Sequence, residues 1–486
     1  YAKKYIQQLR QIMQKISDIG VLGLGAMGQN LALNFASKGL KVSVYNRTEA
    51  NEERVVADFI SKNKNQDNFL GFADLETFVG SLAKPRKIFM MIKAGQALEE
   101  VVKGLLPFLN EGDVLIDGGN SHYIDTEKRV HKLKKHGIGF VGCGMSGGTY
   151  GALNGPCLMP GGEDASWSNV KDLLQSIAAK DEQGNLCCEW IGPGGSGHFV
   201  KMVHNGIEYS LMQIIAETYD VLLKVFLMSN QEVVSVFKEW NEGELGSYLI
   251  RITEEVLSLE EADGTPLIEN VLDIVKQKGT GKDIAICALE HGVAVSTITE
   301  AVNARFISGM EKSRSKINYS KTAINEDNNL SKKDREITLL SLVDSLYCAN
   351  VISIIQGLKL IEKVSKDKSW NIDISNVLNI WSHGSIIQSK VLQDINIHSR
   401  RNSLDEILIQ KVNQSRIKNL FQVVSLANKN QVPFHVYPAA LSYYQALSSA
   451  YLPANLIQLQ REYFGSHGFE KKTAIGKLSH LEGSDA

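Results

Sequence analysis

Lys201, His204, Asn205 and Glu208 are spaced so that a helix of ~3.6 residues per turn carries all four on one face. That face offers an amine able to act as a base, two hydrogen-bonding groups and a carboxylic acid. The stripe lies in an otherwise apolar run that continues through Leu211, Ile214, Ile215 and Val221. Helices of globular proteins usually turn apolar residues inward and charged ones to water. A solvent-facing edge with an i,i+7 Lys/Glu pair therefore describes these residues as well as an active site does. The elements around them have to separate the two readings.

A chain of 486 residues is too long for one core, so two or three domains are expected. The formal net charge of −2 argues against nucleic-acid binding by bulk charge, so an anion site must be built from a few local basic residues. No apolar stretch is read as reaching the ~20 residues that span a bilayer. Tyr1 to Lys15 is polar, lacks the apolar core of a leader peptide, and is given no chemistry. Cys143, Cys157, Cys187, Cys188, Cys287 and Cys348 show no CxxC spacing, which suits a reducing, cytoplasmic setting. The sequence has no His/Cys/Asp cluster at metal-ligand spacing, and no metal is expected.

Upstream of the stripe, Ile16 to Leu22 reads as a short buried strand and Asn30 to Ser37 as a helix. Between them runs Gly23-Leu24-Gly25-Ala26-Met27-Gly28, a GxGxxG turn. In that pattern the first glycine makes the tight turn, the second lets backbone approach a pyrophosphate, and the third lets helix and strand pack. The helix N-terminus adds free N–H groups and partial positive charge. A second strand, Lys41 to Tyr45, ends in Asn46-Arg47-Thr48. An NAD site usually places a carboxylate there for the ribose 2′-hydroxyl. Here Arg47 can instead hold a 2′-phosphate, which favours NADP. Further strands end at Ile92-Lys93-Ala94-Gly95, at Gly118-Gly119-Asn120-Ser121 and at Gly144-Met145-Ser146-Gly147-Gly148. Open α/β sheets bind ligands at such carboxyl ends, so these loops are expected to share one crevice.

Gly192 to Gly197 is Gly/Pro-rich and marks the best domain boundary. Beyond it the periodicity is helical, over Val203–Phe226, Asn230–Trp240, Tyr248–Leu257, Leu267–Val275, Ile284–Gly292, Thr297–Ser308, Leu339–Val364 and Leu404–Ala427. Asn318 to Lys333 reads as an exposed polar loop. The expected architecture is α/β plus all-α. Residues 1–15 form an extension, 16–195 a Rossmann-type dinucleotide-binding domain and 196–452 an all-helical substrate and dimerisation domain. Residues 453–486 form a tail that needs a partner surface to be ordered.

The motifs GLGAMGQNLALN, YNRT, MIKAG, IDGGNS, GMSGG, GPCLMPGG, GPGGSGHFVKMVHNGIEY, QKGTGK, EAVNAR and PANLIQLQREYFGSHGFE run in order from about Ile19 to about Gly468. In these the chain resembles the 6-phosphogluconate dehydrogenase family, within the broader class of β-hydroxyacid dehydrogenases. The resemblance implies metal-independent, NADP-dependent oxidative decarboxylation of 6-phosphogluconate to ribulose 5-phosphate. Lys201 would be the base and Glu208 the acid. Cofactor contacts would come from Gly23 to Gly28, Asn46, Arg47, Thr48, Ile92, Lys93, Ala94 and Asn120. Ser146, Gly147, Gly148, Asn120, His204 and Asn205 would hold the carboxylate and sugar hydroxyls. Tyr209, Lys278, Thr280 and Arg305 would hold the phosphate. In a homodimer, Arg461 and His467 of the tail would complete the partner's site. A lysine base must titrate well below its usual ~10.4, and desolvation with help from nearby cations is the expected cause.

The chain departs from the family at Asp283-Ile284, usually Trp-Thr, and within Trp381 to Ser389, where two arginines are lost. Altered packing without loss of catalytic groups is expected there. A β-hydroxyacid dehydrogenase without a phosphorylated substrate would not need Lys278, Arg305 and Arg461 together. A non-enzymatic NADP sensor would not need Lys201 and Glu208.

Overall fold

The computed structural model describes residues 16–49, 51–276, 279–319 and 332–481. Residues 1–15, Lys278 and most of the Asn318–Lys333 segment lie outside the described residues. The first part alternates strand and helix: β1 (Ile19–Leu22), α1 (Ala26–Ser37), β2 (Val42–Tyr45), α2 (Val55–Lys62), β3 (Phe69–Phe72), α3 (Leu75–Gly80), β4 (Lys87–Met90), α4 (Gln96–Leu105), β5 (Val114–Asp117), α5 (Tyr123–Lys134), β6 (Gly139–Ser146), α6 (Gly148–Asn154), β7 (Cys157–Gly162), α7 (Asp164–Ile177) and β8 (Gly192–Pro193).

The strands form one sheet in the order β3-β2-β1-β4-β5-β6-β7-β8, parallel except between β6 and β7. Parallel strands are covered on both faces, which is why they read as continuous apolar runs. Ile19, Val21, Phe89 and Ile116 enter one core, while Leu22, Ile88, Met90 and Leu115 enter the other. The register sets Leu22 beside Tyr45 and Met90, and Asp117 beside Met90 and Gly142. The glycine turn and the loops after β2, β4 and β5 therefore open at one edge of the sheet.

The second part is helical: α8 (Ser196–Lys224), α9 (Asn230–Glu242), α10 (Tyr248–Leu257), α11 (Thr280–Glu290), α12 (Ser296–Ser308), α13 (Glu311–Tyr319), α14 (Lys332–Asp367), α15 (Ile374–Trp381), α16 (Lys390–Ser399), α17 (Leu404–Lys411), α18 (Gln414–Lys429) and α19 (Val436–Ser448). Helix α8 is buried on nearly every side. It crosses α14 at Gly357, where a Cβ would lie 2.6 Å from Ile207.

Several sequence expectations change. The Leu267–Val275 segment is a short 3-10 turn, Leu267–Asn270, followed by irregular chain with Val271, Leu272 and Val275 exposed. The predicted Leu404–Ala427 helix is two helices. The first ends at Lys411 with Val412 as its C-cap, and Asn413 caps the second, accepting from the N–H groups of Ser415 and Arg416, each at 3.1 Å. Thr338–Asp367 is, by length and a mean hydropathy of 1.7, apolar enough to cross a membrane, although 67% of the qualifying window is buried in the fold. A search for uninterrupted runs misses it because Ser345, Ser353 and Gln356 punctuate it. Each is buried and hydrogen-bonded, Ser353 to Ser210 at 2.8 Å and Gln356 to Thr297 at 2.7 Å.

The tail is ordered as helix α20 (Ala454–Gly465) and a two-stranded sheet of β9 (Phe469–Lys471) and β10 (Ala474–Ser479), which the sequence reading did not foresee. Buried Glu462 is its hub, accepting from the N–H groups of Gly468 at 2.6 Å and Leu481 at 3.0 Å. Outside that hub the tail is thin, and Leu456, Ile457, Tyr463, Phe464, Ile475 and Leu478 are exposed.

Candidate active site

Glycines bring α8 onto the sheet. A Cβ on Gly144 would lie 2.4 Å from the Cβ of Lys201, one on Gly142 2.8 Å from the ring of His198, and one on Gly197 2.4 Å from carbonyl oxygens of β6 and β7. Gly144 and Met145 are strand residues of β6, and what Gly144 admits is the helix. The Gly144–Gly148 stretch is thus only partly the ligand loop expected from sequence. Gly147 and Gly148, with φ of 118° and 62°, turn the chain from β6 into α6.

Lys201, His204 and Asn205 are buried, and Glu208 keeps 23% of its side chain exposed. The stripe therefore does not face solvent. Lys201 Nζ lies 3.5 Å from His204 Nδ1, which lies 3.7 Å from Glu208 Oε2. The other ring nitrogen of His204 is 3.0 Å from Ser146 Oγ, which also accepts from the Ile386 N–H at 3.1 Å. Burial holds the His204 pKa well below the ordinary imidazole range, with Lys201 adding to the effect, so the ring is neutral. A neutral ring that donates to Ser146 leaves the serine hydroxyl proton free for a ligand.

Burial lowers the pKa of Lys201, while Glu208 and Cys157 oppose the shift. Among the described residues no nearby cation adds to the shift, and the desolvation expected from sequence is its cause. Burial raises the pKa of Glu208 against the pull of Lys201 and Arg305. One group is moved toward its neutral amine and the other toward its neutral acid, the pairing that base and acid roles require.

Asn120, Ser121, His122, His198, Lys201, Met202, Asn205, Thr280 and Asp283 line one small cleft. The loop after β5 is shaped by buried Asp117, which accepts from the Gly119 N–H at 2.9 Å and from Ser121 Oγ at 2.6 Å. His198 bonds the Asp117 carbonyl at 3.1 Å and Thr126 at 2.7 Å, fastening α8 to that loop. Sequence reasoning missed Asp117 and His198, although IDGGNS contains the first and the second stands one turn before Lys201. Asp283 lies in the cleft, so this departure from the family is more than a change of packing. The Trp381–Ser389 segment backs Ser146: Ile386 holds its hydroxyl, and Gln388 accepts from the Gly384 N–H at 2.7 Å.

Next along α8, the Tyr209 ring packs where a Cβ on Gly281 would lie 2.5 Å away. The Arg305 guanidinium stacks on the same ring, 3.4 Å from the centroid. Thr280 opens α11, whose N-cap Gly279 has φ of 97° and no side-chain cap. Tyr209, Thr280 and Arg305 thus gather at a helix N-terminus suited to an anion. Arg461 and His467 lie in the tail, where Arg461 is exposed and bonds Gln458 at 3.4 Å.

At the sheet edge, Gly23 has φ of 93°, and a Cβ on Gly28 would lie 1.8 Å from the Gly23 carbonyl oxygen. A Cβ on Gly25 meets nothing within 4 Å, and α1 has no side-chain cap. Open space in front of free N–H groups is what a pyrophosphate needs, so these residues fit a dinucleotide. Ala26 is exposed beside it. Ile92 and Gly119 close against one another, as a Cβ on Gly119 would be 3.0 Å from the Ile92 carbonyl oxygen, and Lys93 and Ala94 follow at the rim. Asn46 accepts from the Leu24 N–H at 2.9 Å, tying the end of β2 to the turn. Arg47 and Thr48 are exposed beyond it.

A Rossmann sheet whose open edge meets a buried lysine on a long helix defines a nicotinamide-dependent dehydrogenase. Residues 18–192 match the NAD binding domain of 6-phosphogluconate dehydrogenase, and residues 197–482 match the 6-phosphogluconate dehydrogenase C-terminal domain. The chain is 40% identical over 466 residues to the decarboxylating 6-phosphogluconate dehydrogenase of Treponema pallidum, covering 94% of this chain and 95% of that one. It is 42% identical over 461 residues to that of Schizosaccharomyces pombe, covering 94% and 92%. The structure superposes on Plasmodium falciparum 6-phosphogluconate dehydrogenase, solved in its apo form and in complexes with NADP+ and with 6-phosphogluconate. The TM-score is 0.89 at 36% identity, with 96% of this chain and 100% of that one covered. The chain belongs to the 6-phosphogluconate dehydrogenase family, whose members are NADP-dependent oxidoreductases.

Arg47→Asp is expected to lower the ratio of NADP to NAD affinity by about 10- to 100-fold, the scale of a hydrogen bond to a charged group. Titrations with both cofactors check this, and an unchanged ratio would remove Arg47 from the 2′-phosphate site.

Proposed function

We infer that Lys201 and Glu208 are the base and the acid of the family's reaction. The chain catalyses the NADP-dependent oxidative decarboxylation of 6-phosphogluconate to ribulose 5-phosphate and carbon dioxide. What carries the assignment is the cleft that joins Asn120, at the sheet edge, to Lys201 and Asn205 on α8. Bound NADP supplies the acceptor for the hydride that leaves carbon 3. Neutral Lys201 takes the proton of the 3-hydroxyl, so that carbon 3 becomes a ketone β to the carboxylate. The carboxylate then leaves as carbon dioxide, and its bonding electrons pass onto the ketone oxygen. Lys201, now an ammonium, holds that oxygen as charge develops. Glu208, whose burial favours the neutral acid, delivers a proton to the former carbon 2.

Ser146, Gly147, Gly148, His204 and Asn205 hold the carboxylate and hydroxyls, and Asn120 touches both substrate and cofactor. Tyr209, Lys278, Thr280 and Arg305 take the phosphate. The chain works as a homodimer in which the partner's Arg461 and His467 complete that site. The exposed apolar side of the tail supports this, because apolar side chains gathered on one surface mark a site where another chain packs.

Following NADPH formation and carbon dioxide release together, with 6-phosphogluconate as substrate, tests the reaction. Equal amounts of the two products are expected. NADPH formed without carbon dioxide would reduce the chain to a simple hydroxyacid dehydrogenase.

A further inference from the structure

The fold brings to the end of β2 a carboxylate that the β2 sequence lacks. Glu52 stands in the loop before α2. Its Oε2 accepts from Arg47 Nε at 2.9 Å and from Asn46 Nδ2 at 3.0 Å, and its Oε1 accepts from Arg47 Nη2 at 3.3 Å. Asn46 is buried and bonded through its own Oδ1 to the Leu24 N–H, so Glu52 is anchored to the glycine turn by way of one side chain. The Nε/Nη2 edge of a guanidinium is a fork matched to two oxygens of one anion. In this structure Glu52 occupies that edge, the one best suited to a 2′-phosphate. The bonds from Arg47 and Asn46 keep its carboxyl below the usual range, so it is charged near neutrality. The pair is exposed, with 61% of the Arg47 side chain and 37% of the Glu52 side chain in contact with solvent, so a ligand can displace the carboxylate.

We propose that Glu52 is a built-in competitor of the cofactor's 2′-phosphate for Arg47, and that it narrows the preference for NADP over NAD. The proposal rests on the assignment of Arg47 to the 2′-phosphate. A ligand's apparent affinity falls by the fraction of sites that are competent to bind it. An exposed ion pair holds its partners together by a factor of up to about five. NADP affinity is then reduced about two- to sixfold. NAD, with no 2′-phosphate, binds the same whether or not Arg47 is held.

Glu52→Gln keeps the size of the side chain and removes the charge. Calorimetric titrations of the full chain with NADP, NAD and adenosine 2′,5′-bisphosphate read the effect on binding alone. In Glu52→Gln the dissociation constants for NADP and the bisphosphate are expected to fall about two- to sixfold, with that for NAD unchanged. In an Arg47→Ala background the same substitution should change nothing. Unchanged or weaker NADP binding in Glu52→Gln overturns the proposal, since Glu52 would then merely position Arg47. A gain that survives Arg47→Ala overturns it as well, because simple repulsion of the phosphate would suffice. If Arg47→Ala alone leaves NADP affinity intact, the Arg47 assignment fails and the proposal falls with it.

Discussion

Lys201→Met is expected to lose turnover by about four orders of magnitude and to bind NADP as the parent does. General base catalysis contributes about 10²–10⁴-fold. Loss of the ammonium that stabilises the developing oxyanion removes about 10²–10³-fold more, and the two losses overlap because one side chain supplies both. Methionine suits the site sterically: Lys201 is 7% exposed, and the start of its side chain lies against Gly144 of β6. Its burial disfavours the charged amine, so an apolar chain of similar length should leave the melting temperature at or above that of the parent. Stopped-flow NADPH formation, a cofactor titration and a thermal melt together separate chemistry from folding. A variant within tenfold of the parent rate would end the assignment of Lys201 as base. The pH profile carries the same sign. With Lys201 as the base the working form would be the neutral amine, so kcat/KM is expected to fall as pH drops and the amine takes up a proton. Because burial lowers that pKa, this acid limb lies below the range of a solvated lysine.

The helical spacing that puts Lys201, His204, Asn205 and Glu208 together was legible because it depends only on a period of ~3.6. So was the glycine turn, where Gly23 and Gly28 meet steric demands that no side chain can satisfy. What stayed hidden depends on which surfaces meet. Gly144 and Gly197 looked like loop residues, yet together with Gly142 they serve the approach of α8 to β6 and β7. The cause of the Lys201 shift could not be read from the chain. Its contacts are set by tertiary packing, and that packing brings Glu208 and Cys157 rather than cations. Glu52 stands six residues past Asn46 in a polar loop, and only the fold of that loop carries it back onto Arg47. The Leu267–Val275 stretch has helical periodicity, but nothing packs on most of its apolar side, and propensity alone does not sustain a helix that short.

Truncation before Pro453 should leave a folded chain with activity reduced about 100-fold or more. Apart from the Tyr451 hydroxyl, which donates to Asn455 at 3.1 Å, the hydrogen bonds of the tail among the described residues stay within it, with Glu462 tying Gly468, His480 and Leu481, and Gln458 donating to the Gly468 carbonyl at 2.6 Å. Its removal therefore uncovers little of the helical core. The loss would instead fall on the phosphate end of the site, where Tyr209, Thr280 and Arg305 would lack the partner's Arg461 and His467. Hydrogen bonds to a dianion of about 1.5–3 kcal/mol each set the scale of the loss. If the tail acts across the dimer, mixing restores activity in a way no single chain can. The truncated chain keeps Lys201 and lacks a tail, whereas full-length Lys201→Met keeps a tail and lacks the base. Each is inactive alone, and a mixed dimer holds one complete site. Co-refolding the two should recover activity up to about half that of the parent per mixed dimer, with the phosphate-dependent part of KM restored. A truncated monomer with full activity, or a mixture no more active than its components, would show that the tail does not reach the partner's site.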